Sequence, residues 1–382
     1  MAAVTARAVA LEVPLSVHVD LTYRCNERCE HCYLDHDDHG ELTFAEIRSL
    51  LDQLAAAGTL FLTLSGGEAL LRRDFFDILA YARSLQFCVR VKTNGVLVRA
   101  AQAKQLRALG VHEVQVSLYS HRADVHDRIT KLPGSFQRSV DGIAAMKAHG
   151  LRVVMANVLM RANYEDYAGV RALAAELGVK CTIDPTVTPR MDGDRSLLAL
   201  GVSAEQLRDV FHDPDLVGPI DAACAIPSAE DAEDVSDALP CSAGHSACYV
   251  SPYGDVYPCV QFPLPTGNIR QQGFLDIWRH SPAFADVRSI RVGDLSTCSQ
   301  CSHVGSCTRC PGLAYMEGSM RGPSQLDCAK SFARTGVPSA GMLAAARSDP
   351  APGSANVHFI PLDQVRSAKP SGERRLSCSS SD

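Results

Sequence analysis

No apolar run in the 382-residue chain approaches the roughly 18–20 residues that span a bilayer. The opening MAAVTARAVALEVPLSVHVD has one early Arg and no apolar segment leading to a small-residue cleavage site, so no signal peptide is read. Basic excess is absent too: 37 Lys and Arg stand against 43 Asp and Glu, a net charge of −6, with the signs interspersed. That argues against nucleic acid or an anionic membrane as the main partner. No internal repeat is visible, which sets solenoids and propellers aside. These absences point to a cytoplasmic protein. In a reducing compartment its fifteen cysteines are poor disulfide candidates, and clustered ones bind metal or do redox chemistry.

The chain is long enough, and at 46% apolar residues rich enough, for one large domain with a smaller one beside it. After a tail over 1–12, short apolar runs alternate with amphipathic helical patterns across 13–215. The candidate strands are SVHVDL, TLFLTLS, CVRVKT, EVQVSL, RVVMANVLM and KCTIDPTV. The first helix is signalled by the capping pair Thr43 and Glu46, by Ile47, Leu50, Leu51 and Leu54 on one face, and by Gly58 at its end. Alternating β and α units predict an α/β fold, a partial (β/α)6 TIM-like barrel. Residues 216–240, acidic and poor in large apolar side chains, read as a linker. Residues 241–331, with eight cysteines and little core, predict a small domain that depends on metal. Residues 332–382 read as a mostly disordered tail.

The first cluster, CNERCEHC, places Cys25, Cys29 and Cys32 in the loop after the first candidate strand, at the mouth where such barrels do chemistry. Alone, this spacing is compatible with structural zinc, with His36 or His39 as fourth ligand. CNERCEHC also resembles the CxxxCxΦC motif of radical S-adenosylmethionine (radical SAM) enzymes, with His31 at the usually aromatic Φ place. The resemblance implies a [4Fe–4S] cluster on the three cysteines, with SAM chelating the fourth iron. It further implies reductive cleavage of SAM to methionine and a 5′-deoxyadenosyl radical that abstracts hydrogen from a substrate. SGGEALL resembles the family's GGE motif, with Ala69 where proline is usual. By that resemblance Gly66 and Gly67 let the backbone approach SAM, and Glu68 accepts from its ammonium. KTNG, with Asn94, follows the third strand. SLYSHRADVHDRITK resembles the segment in which Ser117 and a basic residue, Arg128 or else Lys131, hold the SAM carboxylate. Asn157 is expected either to face the ribose or to satisfy backbone partners within its strand.

The later cysteines run Cys241, Cys248, Cys259, Cys298, Cys301, Cys307, Cys310 and Cys328. Eight thiolates suit two four-cysteine centres of zinc or iron. Their pattern resembles the SPASM domain of radical SAM enzymes that modify peptides and proteins, with two residues rather than three between Cys307 and Cys310. Carried over residue by residue, Cys241, Cys248, Cys259 and Cys310 hold auxiliary cluster I, and Cys298, Cys301, Cys307 and Cys328 hold auxiliary cluster II. The expected cofactors are therefore SAM and three [4Fe–4S] clusters. Cys88, Cys181, Cys224 and Cys378 have no partner spacing.

The resemblance implies an oxidoreductase-like maturase that abstracts hydrogen from a ribosomally made peptide and installs a crosslink or another modification. Its expected partners are a peptide substrate, a reductant such as flavodoxin or ferredoxin, and a separate peptide-recognition protein, since the extension before the first strand is too short for a winged-helix recognition domain. Alternatives are oxidation of a residue on a folded protein, as in sulfatase-maturing relatives, modification of a small molecule such as a tetrapyrrole, and a zinc-stapled binding protein without chemistry. Asp20, Asp184 and Tyr119 are considered as acid or base, and none is assigned.

Overall fold

All six expected strands form in the computed structural model, which describes residues 2–220, 224–226 and 234–346. They are β1 (Ser16–Asp20), β2 (Phe61–Ser65), β3 (Cys88–Thr93), β4 (Glu113–Ser117), β5 (Val153–Val158) and β6 (Lys180–Asp184). Each lies parallel to its sequence neighbours, so the βα array read from the sequence is borne out. Helices α1 (Ala2–Ala10), α2 (Phe44–Ala56), α3 (Phe75–Ser84), α4 (Ala100–Ala108), α5 (Ala123–Thr130), α6 (Ser135–Ala148) and α7 (Tyr167–Glu176) precede or connect them.

Strand alternation sorts the two faces. Val17, Val19, Leu62, Leu64, Val89, Val91, Val114 and Val116 join Leu50, Leu51 and Leu54 of α2 and Ile78 and Leu79 of α3 in one buried core. The residues between them, His18, Asp20, Thr63, Ser65, Arg90, Lys92, Gln115 and Ser117, therefore face the other side. A closed (β/α)8 barrel fills that side with branched apolar residues. Here it is polar, which suits a chamber better than a packed centre.

The capping box on α2 is present: the Thr43 N–H donates to Glu46 at 2.7 Å, and the Glu46 N–H donates to the Thr43 hydroxyl at 3.3 Å. Glu46 also pairs with Arg270 at 2.7 Å, and that hydrogen bond, with the Thr43 N–H, holds its carboxyl down at about 2. Replacing Glu46 by Ala should cost about 1 kcal/mol in denaturant unfolding, since a cap contributes that much and a solvent-screened pair little more. Because the folded carboxyl is depressed, the contribution is present above the ordinary Glu range and disappears as pH falls toward 2.

Residues 1–12, expected as a tail, carry α1, whose alanine-rich sequence has strong intrinsic helix preference. Ala8 is buried, and Trp278 Nε1 donates to the Glu12 carbonyl at 2.5 Å. The expected boundary at 331 falls inside a helix, Gln325–Thr335, and another follows at Ala340–Ala345. The rest of the expected tail, with Cys378, lies outside the described residues, as do 221–223 and 227–233 of the expected linker.

The cysteine-rich region also supplies β-structure. Strand β7 (Ala247–Val250) pairs parallel with the free edge of β1, and β8 (Asp255–Tyr257) and β9 (Gly267–Asn268) continue antiparallel. The sheet order is β6-β5-β4-β3-β2-β1-β7-β8-β9. Strands of four, three and two residues carry too little periodicity to announce themselves in a sequence.

Candidate functional site

The loop carrying Cys25, Cys29 and Cys32 leaves the C-terminal end of β1 and is held from two sides. From the β2 side, the Gly67 N–H donates to the Thr22 carbonyl at 2.7 Å and the Glu68 N–H to the Arg24 carbonyl at 2.9 Å. From the other, the Arg28 and Glu30 N–H groups each donate at 3.0 Å to the last carbonyls of α5, those of Thr130 and Ile129. Contact with the β2 loop is close enough to require glycine. A Cβ on Gly66, whose φ is +145°, would lie 2.2 Å from the Thr22 carbonyl oxygen; one on Gly67 would lie 2.5 Å from that of Tyr23. The backbone these glycines approach is that of the cysteine loop.

Glu68 is fully buried and already engaged. Its carboxylate accepts from the Leu70 N–H at 3.1 Å, the Thr93 hydroxyl at 2.8 Å and the Asn94 N–H at 2.8 Å. Burial pushes its carboxyl up, and these donors oppose the shift. Asn94 donates through Nδ2 to Asn26 Oδ1 at 2.9 Å. The GGE and TNG segments are thereby tied to each other and to the loop.

Burial pushes the Cys25 thiol up to about 12 and raises Cys29 and Cys32 as well. Such thiols become thiolates only when a cation supplies the compensating charge. A single tetrahedral zinc, with Zn–S about 2.3 Å, draws its sulfurs to within about 3.8 Å of one another. Among the described residues no three cysteine sulfurs lie mutually within 4.8 Å. The two histidines considered as fourth zinc ligands are engaged elsewhere: His36 Nδ1 with the Tyr23 carbonyl at 3.2 Å, and His39 with Asp35 at 2.9 Å.

Polar atoms without partners collect around the same loop. They are Asn26 Nδ2, Glu27 Oε1, His31 Nδ1, His126 Nε2 and Asn157 Oδ1, all buried. His31 meets the Tyr119 ring edge-on at 4.6 Å, and Tyr119 stacks on His126 at 5.6 Å. Burial lowers both histidines to about 4, so both are neutral at pH 7. Orphaned donors and acceptors beside three buried thiols fit a polar, zwitterionic ligand such as SAM.

Ser117 ends β4 on the chamber side and hydrogen-bonds Tyr119. Arg128 is exposed on α5 and has no ion-pair partner among the described residues. The carboxylates on the same helix are taken: Asp124 by Arg122 at 3.0 Å, and Asp127 by the Phe136 N–H at 2.8 Å at the start of α6. Lys131 is exposed too, in a left-handed C-cap at φ 56°. Asn157 donates to the Leu118 carbonyl at 2.9 Å, and its other amide atom is the orphan noted above. Asp20 is a satisfied buried carboxylate, accepting from Tyr249 at 2.9 Å and lying 3.0 Å from His18; Asp184 makes the expected turn to the Thr186 N–H at 2.9 Å.

Sequence reasoning missed Asn26 and Glu27, which occupy variable positions between the motif cysteines. Glu27 is 3% exposed, hydrogen-bonds the Cys29 thiol at 3.4 Å, and is pushed by burial up to about 7. It also missed Arg72, which donates to the Leu21 and Leu42 carbonyls at 2.9 Å and pairs with Asp74 at 2.7 Å, bracing the cysteine loop at both ends.

The eight later cysteines fall into two neighbourhoods. Cys298, Cys301, Cys307 and Cys328 line one cavity of about 70 Å³. Cys241 and Cys259 pack in another small cluster with Phe262 and Tyr315. Cys310 is pushed up to about 11 by burial, and Cys259 is among the nearby charges that raise it further. Its own N–H donates to Asp327 of the second cavity at 2.7 Å, so Cys310 stands between the two neighbourhoods. Cys248, on β7, is buried in the main apolar core beside Val17, with Cys259 again a charged neighbour. Ser331 and residues beyond it complete the second neighbourhood. Ser331 donates to Cys307 at 3.3 Å and the Ala340 N–H to Cys301 at 3.4 Å, while a Cβ on Gly341 would lie 2.6 Å from the Cys328 sulfur. Cys88, Cys181 and Cys224 join neither group.

With this geometry in place, comparisons with known proteins are specific. Residues 19–174 match the radical SAM superfamily, and residues 241–311 match the iron-sulfur cluster-binding domain named SPASM. An AdoMet-dependent heme synthase of Methanosarcina barkeri is 29% identical over 323 residues, covering 79% of this chain and 92% of its own. A PqqA peptide cyclase of Xanthomonas oryzae is 33% identical over 286 residues, covering 72% and 77%. In fold, the chain resembles Streptococcus suis SuiB bound to S-adenosylmethionine, with a TM-score of 0.67 at 18% identity over 83% of this chain and 77% of that one. The same protein bound to precursor peptide SuiA gives 0.66 at 17% identity over 86% and 79%.

Proposed function

Because the chain belongs to the radical SAM superfamily and carries a SPASM domain, we propose that it is a peptide-modifying maturase with three [4Fe–4S] clusters. Cys25, Cys29 and Cys32 would hold the SAM-binding cluster; Cys241, Cys248, Cys259 and Cys310 the first auxiliary cluster; and Cys298, Cys301, Cys307 and Cys328 the second. When bound, the first cluster and SAM supply the electron and the carbon radical that removes a substrate hydrogen. The chain's own part is placement and exclusion of water. The Gly66–Glu68 and Asn94 segments fix the cysteine loop, and the orphaned amide and imidazole atoms of Asn26, His31 and Asn157 offer SAM its polar contacts. Ser117 and Arg128 stand at the same mouth to receive its carboxylate.

The observation that carries the reading is the three-thiol loop at the carboxyl ends of parallel strands, above a polar chamber and beside a second cysteine-rich unit. The peptide substrate is supported by the X. oryzae cyclase and by SuiB's capture of a precursor peptide. The reductant would be a flavodoxin or ferredoxin, with a separate protein presenting the peptide.

The test is anaerobic reconstitution, expected to give about twelve irons per chain, followed by SAM, dithionite and peptides encoded beside the gene. A mass change in one peptide matched by 5′-deoxyadenosine supports the maturase, and nucleoside without any modified peptide refutes the substrate class. A second reading, action on a tetrapyrrole, is favoured by the heme synthase of M. barkeri, which this chain matches over nearly that protein's whole length. A tetrapyrrole in the same assay, changed in mass together with 5′-deoxyadenosine release, would select it.

A further inference from the structure

The two auxiliary sets of cysteines differ in what surrounds their sulfurs. In the first set the close donor is a backbone group, the Ala243 N–H to Cys241 at 3.5 Å, with Lys92 the cation near Cys259 and Arg288 the cation near Cys248. Arg288 is stacked on Trp278 at 4.3 Å and lies 3.6 Å from the Glu12 carboxylate. In the second set, side chains take part. Ser331 donates to Cys307 and the Ala340 N–H to Cys301. Arg309 lines the same cavity as all four cysteines.

Arg309 is an unusual guanidinium. Nε donates to the Gly322 carbonyl at 2.8 Å and Nη2 to the Met320 carbonyl at 2.6 Å, while Nη1 is buried without a partner. No carboxylate lies within ion-pair distance of it among the described residues. The acid that shares the cavity, Asp327, is paired with Lys330 at 3.1 Å. A half-buried cation with one buried, unpartnered nitrogen therefore lines the same cavity as four thiols whose ligated form carries negative charge. Hydrogen bonds and nearby charge set iron–sulfur potentials by favouring the more negative, reduced state.

We propose that Arg309, seconded by Ser331 and the Ala340 N–H, raises the reduction potential of the cluster held by Cys298, Cys301, Cys307 and Cys328. Arg309 is a positioning residue: it acts on the cluster and touches no substrate. The inference rests on the cluster assignment above.

The experiment is an EPR-monitored redox titration of the reconstituted full chain, with Cys25, Cys29 and Cys32 changed to Ala so that only auxiliary signals remain. The second-set signal is identified by its loss in Cys328→Ala. Arg309→Gln should weaken its reduction about tenfold, 59 mV for a one-electron couple, leaving the other signal and the iron content unchanged. Ser331→Ala should shift the same signal in the same direction by less. Equal midpoints before and after Arg309→Gln, at full iron, overturn the proposal. If Arg309→Gln loses the cluster, Ser331→Ala decides, and an unshifted midpoint there overturns it. Absence of both auxiliary signals in the parent would instead refute the cluster assignment itself.

Discussion

Changing Cys25, Cys29 and Cys32 together to alanine is expected to remove about four irons per chain and reduce 5′-deoxyadenosine formation to the level without enzyme. The eight distal cysteines are remote in sequence and grouped in separate neighbourhoods, so the remaining iron should stay bound. The three thiols are buried and held up, two of them beyond the reach of physiological pH without a metal. Their loop has hydrogen bonds of its own to the β2 loop and to α5, so the variant should remain folded by circular dichroism. Iron analysis and the nucleoside assay together check the result. Undiminished nucleoside from the triple variant would place SAM cleavage elsewhere.

Replacing Gly67 by alanine should be nearly as severe for activity, although no ligand is removed. The added methyl would sit 2.5 Å from the Tyr23 carbonyl oxygen and 2.6 Å from that of Arg24. Both are backbone atoms of the cysteine loop, so relief requires the loop to move relative to β2. Overpacking of this kind costs about 1–3 kcal/mol, readable as a shifted denaturant midpoint. A displacement near 1 Å at the reacting centre lowers rate by about a hundredfold. Gly273→Ala is the control: its φ is −62°, and the new methyl would meet only side-chain tips, at 3.4 Å. If Gly67→Ala cleaves SAM at the parent rate, the tight seam between the two loops is not what sets the cluster's position.

Several strands of the barrel were legible because they alternate apolar and polar residues, as in CVRVKT, while β5, VVMANV, was legible as a short apolar run. The α2 helix was legible because Thr43 and Glu46 satisfy each other's backbone locally. The motif cysteines were legible through the resemblance of CNERCEHC to a known motif, since the spacing by itself also admits zinc. What the sequence hid was held by long-range contact. Nothing in ACYV announces that it will pair with a strand more than two hundred residues earlier. The roles of Glu27 and Asn26 depend on which way a loop turns between two ligands. Glu68 reads as a ligand contact within its motif, yet its four hydrogen bonds go to its own chain. The alanine-rich segment after 331 has the composition of a tail, but its Ser331, Ala340 and Gly341 close around sulfurs contributed by residues 301–328.

The parallel pairing of β7 with β1 bears on how a substrate can enter. Two catalytic units joined by a flexible tether can swing apart to admit a bulky guest and shut behind it. Here the strand that leads to Cys25 is laced, residue by residue from Ser16 to Val19, to the strand that bears Cys248. Both belong to one compact unit. A ladder of that kind has no hinge in it, and opening it would break a run of hydrogen bonds at once. The separation between the strand that leads to Cys25 and the strand that bears Cys248 is therefore set by the sheet itself. Adjustment to the guest falls to the loops at the strand ends, which suits a slender chain threaded into the mouth better than a large body that needs the jaws to part.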